Sequence, residues 1–362
     1  MTLTTLDSPL LRMTERTPTD YWNDSCAVDE LAYAVERGAV GATSNPSIVL
    51  EVMQKEKEHW IPRVRALRTE NPGWPLEDLT WALIEEMAVR GAAILVPVFE
   101  REGHKKGRLS LQTNPTFYVS PESMVEQAVR FAGLAPNIQV KLPATSAGLI
   151  AIEEATYRGI NINATVSFTV AQAIGVAEAV ERGLRRRKAE GHDVSTMSPV
   201  STTMVGRLDD WMKILVERDA LAVHPDATNW AGVAAFKRVY AIFQERGYRT
   251  RPLVAAYRHR LHWTEFVGGD VAMTMPHAWQ ARFNDSGVEP IERMSVPVEP
   301  WILDELSERI PDFSRAYEPD GLSPAEFDTY GATARTLRGF IKSYYDLVGT
   351  VNDIVLPNPD KR

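Results

Sequence analysis

Cysteine is almost missing from this sequence: Cys26 stands alone among 362 residues. One thiol excludes an intrachain disulfide and a thiolate zinc cluster, and its scarcity fits a reducing cytoplasm, the compartment we expect. Long apolar runs are missing as well. No stretch approaches the ~18 apolar residues of a membrane helix, and the opening segment MTLTTLDSPLLRMTERTPTD lacks a basic start followed by an apolar core. Neither membrane association nor export is expected. Positive charge is in deficit, with 48 acidic against 40 basic side chains and a formal net charge of −8. A nucleic-acid partner is therefore not expected, and any anionic ligand must be met by local Arg or Lys against an unfavourable overall field. Repeats, low-complexity tracts and long Gly/Ser linkers are absent, so we read residues 1–362 as a single domain. Oligomeric state stays open, and a homo-oligomer is compatible with this reading.

What is present is alternation. From about residue 20 to 276, short β-like runs take turns with longer amphipathic ones, the pattern of parallel strands joined by helical crossovers. Eight strands are expected near Tyr21–Asp24, Ala39–Ser44, Arg108–Thr113, Asn137–Leu142, Ile160–Thr165, Thr196–Thr202, Pro252–Tyr257 and Val271–Met275. Eight such units predict an α/β fold, a (β/α)8 TIM barrel. Helix ends are legible: Ser25 as a cap before Val28, Leu31 and Val35, Gly38 as a stop, Ser120 before Pro121, and Thr145 before a helix ending ahead of Gly159. Two stretches exceed the minimal barrel and read as decoration. One is an insertion of about 55–104 with a helix Leu79–Phe99. The other is a C-terminal helical extension, 277–355, with helices Glu299–Ile310 and Pro324–Val348. Arg335, Arg338 and Lys342 give the last helix a basic, solvated face, and Val288–Pro300 reads as a connecting loop.

Three strands carry the wrong residues on one face. In Ile138-Gln139-Val140-Lys141-Leu142 the apolar set suits the helix side, which turns Gln139 and Lys141 into the barrel lumen. The same alternation sends Asn161, Asn163 and Thr165 inward from the next strand, and Ser110 and Gln112 inward from the previous one. An unpaired buried polar group costs roughly 1–3 kcal/mol. So many together indicate a lumen that holds a ligand. Lys141 is the most informative, because confinement disfavours its ammonium form and frees the amine that attacks carbonyls. Alternation alone leaves a barrel-end ion pair as the other reading.

Gly41-Ala42-Thr43-Ser44-Asn45-Pro46-Ser47 resembles a signature of the transaldolase family. So do Val140-Lys141-Leu142-Pro143-Ala144-Thr145 and Gly159-Ile160-Asn161-Ile162-Asn163-Ala164-Thr165, in the family's order and with similar spacing. The resemblance covers roughly residues 20–276, and the insertion resembles the long bacterial branch. It implies that Lys141 attacks the C2 ketone of a ketose phosphate, forms an imine, and passes a dihydroxyacetone unit to an aldose phosphate, as in pentose phosphate metabolism. It implies no cofactor and no metal, and sugar phosphates as the small-molecule partners. By the same resemblance Asp24 moves the C4 hydroxyl proton and Thr165 helps hold the catalytic water. Asn45 and Asn163, with Thr43 and Ser44 of the signature, hold substrate. Arg207 and Arg258 bind its phosphate, with Thr202 beside them. Taken singly, Asp24 also suits a helix cap, the asparagines suit turns or lumen packing, and the arginines suit surface ion pairs.

The departures are as specific. Where the family carries a glutamate in Ser110-Leu111-Gln112-Thr113-Asn114-Pro115, this chain has Gln112, which can orient a water but cannot titrate near neutrality. Glutamine there also resembles the fructose-6-phosphate aldolases, which release free dihydroxyacetone. Against that, the lumen tyrosine of those enzymes is matched by Phe168. Met204 replaces the aromatic that precedes the phosphate arginine in transaldolases, and Tyr257 is left as a hydroxyl of unassigned direction. A non-catalytic sugar-phosphate barrel is a further alternative. His259-x-x-His262 has a metal-ligand spacing but no completing third ligand in the sequence pattern.

Overall fold

The structure, a computed structural model, describes residues 6–361; the first five residues of the segment read for export signals lie outside it. Eight parallel strands close into one barrel in chain order. They are β1 (Asp20–Asn23), β2 (Gly41–Thr43), β3 (Arg108–Gln112), β4 (Ile138–Pro143), β5 (Ile162–Ser167), β6 (Val200–Thr203), β7 (Arg251–Val254) and β8 (Ala272–Met275). The expected (β/α)8 fold is thus what the chain forms. Among the described residues, no helix is long and apolar enough to cross a membrane.

Alternation sorts the strands as expected. Leu109, Leu111, Val140, Leu142, Ile162 and Ala164 are fully buried on the outer faces. The inner faces are polar and bonded to one another. Ser110 donates to Gln139, Asn163 donates to Ser110, and Thr202 donates to Asn163 at 2.6 Å. Four strands are thereby stitched through the lumen by side chains alone. Toward the strands' amino ends the filling becomes ionic: Asp20 accepts from Arg251, and from Lys106 at 2.8 Å.

Local readings failed where tertiary partners decided. Ser25 does not cap the helix Val28–Val35; it lies two residues before the cap position, and its Oγ accepts from the Ala27 amide. Thr196–Pro199 is turn and loop, so β6 starts at Val200. Asn161 precedes β5, where its Oδ1 accepts from the Ser198 amide and secures that loop. Ser120 and Thr145 do cap their helices, accepting from the amides of Ser123 and Gly148.

The insertion and the tail are not loose decoration. The tail's last stretch divides into a 3₁₀ turn, Pro324–Thr329, and a long helix, Gly331–Val355. A Cβ on Gly331 would lie 2.0 Å from the Trp211 ring, so only glycine can start the helix there. Tyr344 stacks on Trp81 of the insertion helix Leu76–Arg101, ring centroids 5.6 Å apart. Ser343 bonds Ser47, Thr333 bonds Gln172, and Thr336 bonds Arg207. Those partners lie in the first turns of the helices after β2, β5 and β6, so the terminal helix spans the barrel's carboxyl-end face. That is the face where barrels of this type carry their chemistry.

Candidate active site

Lys141 stands in β4 with its side chain in the lumen and 5% of the residue exposed. Its Nζ makes one protein hydrogen bond, to the Ser44 carbonyl at 3.4 Å. Burial pulls its pKa down to about 8, the negative Asp24 opposes this, and the positive Arg207 adds to it. An amine so placed is neutral in roughly one molecule in ten at pH 7, against a few in ten thousand for a solvated lysine. The site thus prepares a nucleophile by confinement.

Asp24 follows β1 directly. It keeps part of its surface open to the lumen although protein surrounds it. Burial raises its pKa, while Lys141, the Thr43 hydroxyl and Arg207 hold it back. Thr43 donates to Asp24 Oδ1 at 2.6 Å, and its hydroxyl also touches that of Thr274. Asp24 is therefore no helix cap. It is a carboxylate fixed in the field of an amine and a guanidinium, with its protonation balanced between burial and charge.

Gln112 pairs in register with Lys141 across β3 and β4, and Asn163 pairs with Lys141 across β4 and β5. The Gln112 Oε1 is buried without a protein partner, so a water or substrate hydroxyl is the donor it can still accept. Thr165 lies one inward position above Asn163, just before a bulge in which Val166 takes φ 55°. A left-handed non-glycine residue costs on the order of 1–3 kcal/mol and concentrates at functional sites. Ala256, at φ 68° beyond β7, is a second case.

The other expected residues divide. Asn45 caps the helix Pro46–Lys55, its Oδ1 accepting from the Ile48 amide at 3.1 Å, which leaves its amide nitrogen as the group available to a ligand. Ser44 turns its hydroxyl to the buried Cys26 and presents only its carbonyl to Lys141. Asn163 and Thr202 satisfy each other in the lumen network.

Arg207, in the first turn of the helix Val205–Arg218, is half-buried, with its guanidinium 5.0 Å above the Phe340 ring and a long 3.4 Å bond to Thr336. Burial lowers its pKa, and the neighbouring Arg258 lowers it further. Arg258 itself is exposed and already held: Asp210 takes its Nε at 3.0 Å and its Nη2 at 2.7 Å. The two arginine-bearing segments are pressed together, since a Cβ on Gly206 would lie 1.9 Å from the Ala256 carbonyl.

The residues His259 and His262 do converge with a carboxylate, Asp209, at 2.9 and 2.8 Å. This is a structural knot. His262 Nδ1 accepts the Arg258 backbone N–H at 3.1 Å, so its Nε2 carries the proton and donates to Asp209. A donor nitrogen has no lone pair for a metal. Burial alone would raise the Asp209 carboxyl; hydrogen bonds from His259 and His262 overcome it and bring the pKa down to about 2.

Sequence reasoning missed three contributors, Thr274, Asp210 and Phe340, and left the direction of Tyr257 open. Tyr257 has a buried, unpartnered hydroxyl, and its pKa is raised well above the ordinary value by burial and by the nearby Asp24. Thr274 follows from the inward alternation of β8. Asp210, three residues past Arg207 on one helix, was readable as a partner for some cation, though not for Arg258. Phe340 has no local signal at all.

The family described as Transaldolase/Fructose-6-phosphate aldolase matches residues 21–319. The chain belongs to this family. Among named relatives, the transaldolases of Mycobacterium ulcerans and Mycobacterium marinum are each 30% identical over 276 residues, covering 70% of this chain and 73% of the relative. The transaldolase of Thiobacillus denitrificans is 28% identical over 302 residues, covering 77% of this chain and 82% of its own length. Transaldolase-family membership and the lumen geometry thus meet on one strand, β4.

Proposed function

We propose that this chain is a transaldolase-type enzyme in which Lys141 carries a dihydroxyacetone unit from a ketose phosphate to an aldose phosphate. The observation that carries this is the lumen lysine, whose pKa is brought to about 8 beside Asp24 and Arg207. Its neutral amine adds to the C2 carbonyl, water leaves, and an iminium forms. Asp24 takes the C4 hydroxyl proton, the C3–C4 bond breaks, and its electron pair flows into the iminium to give an enamine. The shortened aldose phosphate departs. The enamine then attacks the acceptor aldehyde, Asp24 returns its proton, and hydrolysis frees Lys141. Arg207 binds the substrate phosphate with charge-assisted hydrogen bonds, and Arg258 contributes after exchanging Asp210 for phosphate. Gln112 and Thr165 hold the water that hydrolyses the imine. Asn45 and Asn163 hold substrate hydroxyls, with Thr43, Ser44 and Thr202 fixing their surroundings. We place the enzyme in the cytoplasm on its single buried thiol. Release of free dihydroxyacetone, the alternative that Gln112 raises, is not favoured by the relatives, which bear the name transaldolase.

Borohydride reduction with fructose 6-phosphate, followed by peptide mass spectrometry, is expected to leave an adduct on Lys141 alone. Because the neutral amine is the nucleophile, the trapping rate should climb with pH through about 8 and level off above it. An adduct elsewhere, or one equally present in Lys141→Met, would end the Schiff-base reading.

A further inference from the structure

At the opposite end of the barrel, under the strands' amino termini, lies a cleft of about 300 Å³. Its walls carry Lys105, Lys106, Arg108, Arg249 and Arg251 against one lining carboxylate, Asp270. Two of the five cations are balanced: Lys106 and Arg251 share Asp20, and Arg251 also meets Asp270 at 2.9 Å. The other three have no carboxylate partner among the described residues. Arg249 spends its Nε and Nη2 donors on the carbonyls of Val194, Ser195 and Met197. Lys105 is exposed and makes no side-chain bond among the described residues.

Arg108 is the most telling. Only 5% of it is exposed, it donates to the carbonyls of Pro136 and His104, and its Nε is buried with no partner. Burial pulls its pKa down to about 10, with no anion to restore it. A buried charge is normally paired, because neutral carbonyls recover only part of its lost hydration. Thr250, also lining the cleft and 1% exposed, has an unpartnered hydroxyl. Three cations without a carboxylate partner among the described residues therefore gather in one concavity of a chain whose net charge is −8.

We propose that this cleft is a second anion site that takes a small phosphate ester, separate from the catalytic phosphate position at Arg207. Its volume is at the lower end for ligand pockets, which suits a sugar phosphate and excludes a dinucleotide. The Arg249 Nη1 group, left without a bond when Nε and Nη2 take the carbonyls, and the flexible Lys105 ammonium are the donors open to phosphate oxygens, with the Arg108 charge behind them. Trp22, in β1, forms part of the cleft wall two residues before Asp24, so occupancy bears on the strand that leads into Asp24.

The test uses calorimetric titration with inorganic phosphate and with ribose 5-phosphate. The double variant Arg207→Ala/Arg258→Ala removes the catalytic phosphate site, and its circular dichroism and melting curve establish that it is folded. It is expected to retain one site per chain. Adding Lys105→Ala, an exposed change with no fold to disturb, should weaken that site at least threefold. In the double-variant background, ligand should raise the melting temperature, and adding Arg108→Met should lose most of that rise. No binding to the folded double variant, or binding unchanged by Lys105→Ala, overturns the proposal. Should Arg108→Met not fold, the Lys105→Ala result decides alone.

Discussion

Asp20 and Asp24 face the same lumen from opposite ends of β1, four residues apart, and they keep different company. Asp20 is closed in by two cations, Arg251 and Lys106, and is 5% exposed. Asp24 has no ion pair in contact; it is held by one hydroxyl and feels Lys141 and Arg207 at a distance. The first arrangement satisfies a charge and fixes the floor. The second leaves a carboxylate able to give and take a proton. Barrel geometry supplies both positions, and the partners decide which becomes structure and which becomes chemistry.

Exchanging each aspartate for asparagine separates the two roles. Asp24→Asn is expected to lower kcat by about 10²–10⁴-fold, the usual contribution of a positioned acid–base group, with little change in melting temperature. Asp20→Asn should do the reverse, costing about 1–3 kcal/mol of stability by loosening the half-buried Lys106 and Arg251 while kcat holds. Equal losses of activity in both variants would break the contrast. Arginines at the mouth sharpen it. Arg207→Ala should raise KM for a phosphorylated ketose about 10–100-fold, whereas Arg258→Ala should raise it less, because that side chain must first leave Asp210. Steady-state kinetics with fructose 6-phosphate against unphosphorylated fructose reads the difference. The smallest effect is expected at Gln112. Gln112→Glu should raise the ratio of transfer to dihydroxyacetone release by less than about tenfold, since it adds one titratable group to a relay already working through other donors. An unchanged ratio would remove Gln112 from the relay.

Much of this was legible in residue order. The period-two alternation in Leu109–Thr113, Ile138–Leu142 and Ile160–Thr165 predicted the strands and their inward polar faces, apart from Asn161, which lies before β5, because a pleated strand covered by helices leaves no other place for those side chains. Lys141 was readable for the same reason. Ser25 and Thr196 were misread because capping and strand signals are local, and loop contacts outbid them. The occupation of Arg258 by Asp210, the outward turn of the Ser44 hydroxyl and the reach of Tyr257 toward Asp24 depend on crossings between distant segments, which no spacing in the chain encodes. Uncompensated charge at Arg108 was hidden likewise, since its strand gave it no visible difference from an ordinary edge arginine.

The terminal helix Gly331–Val355 has a consequence in time. A polypeptide leaves the ribosome from its amino end, so the eight strands, Lys141 and Asp24 are all outside before this helix has been made. The Phe340 ring and Thr336 hydroxyl that seat Arg207 are made after all eight strands. A nascent chain stopped short of this helix therefore has its amine but lacks the two contacts that seat Arg207.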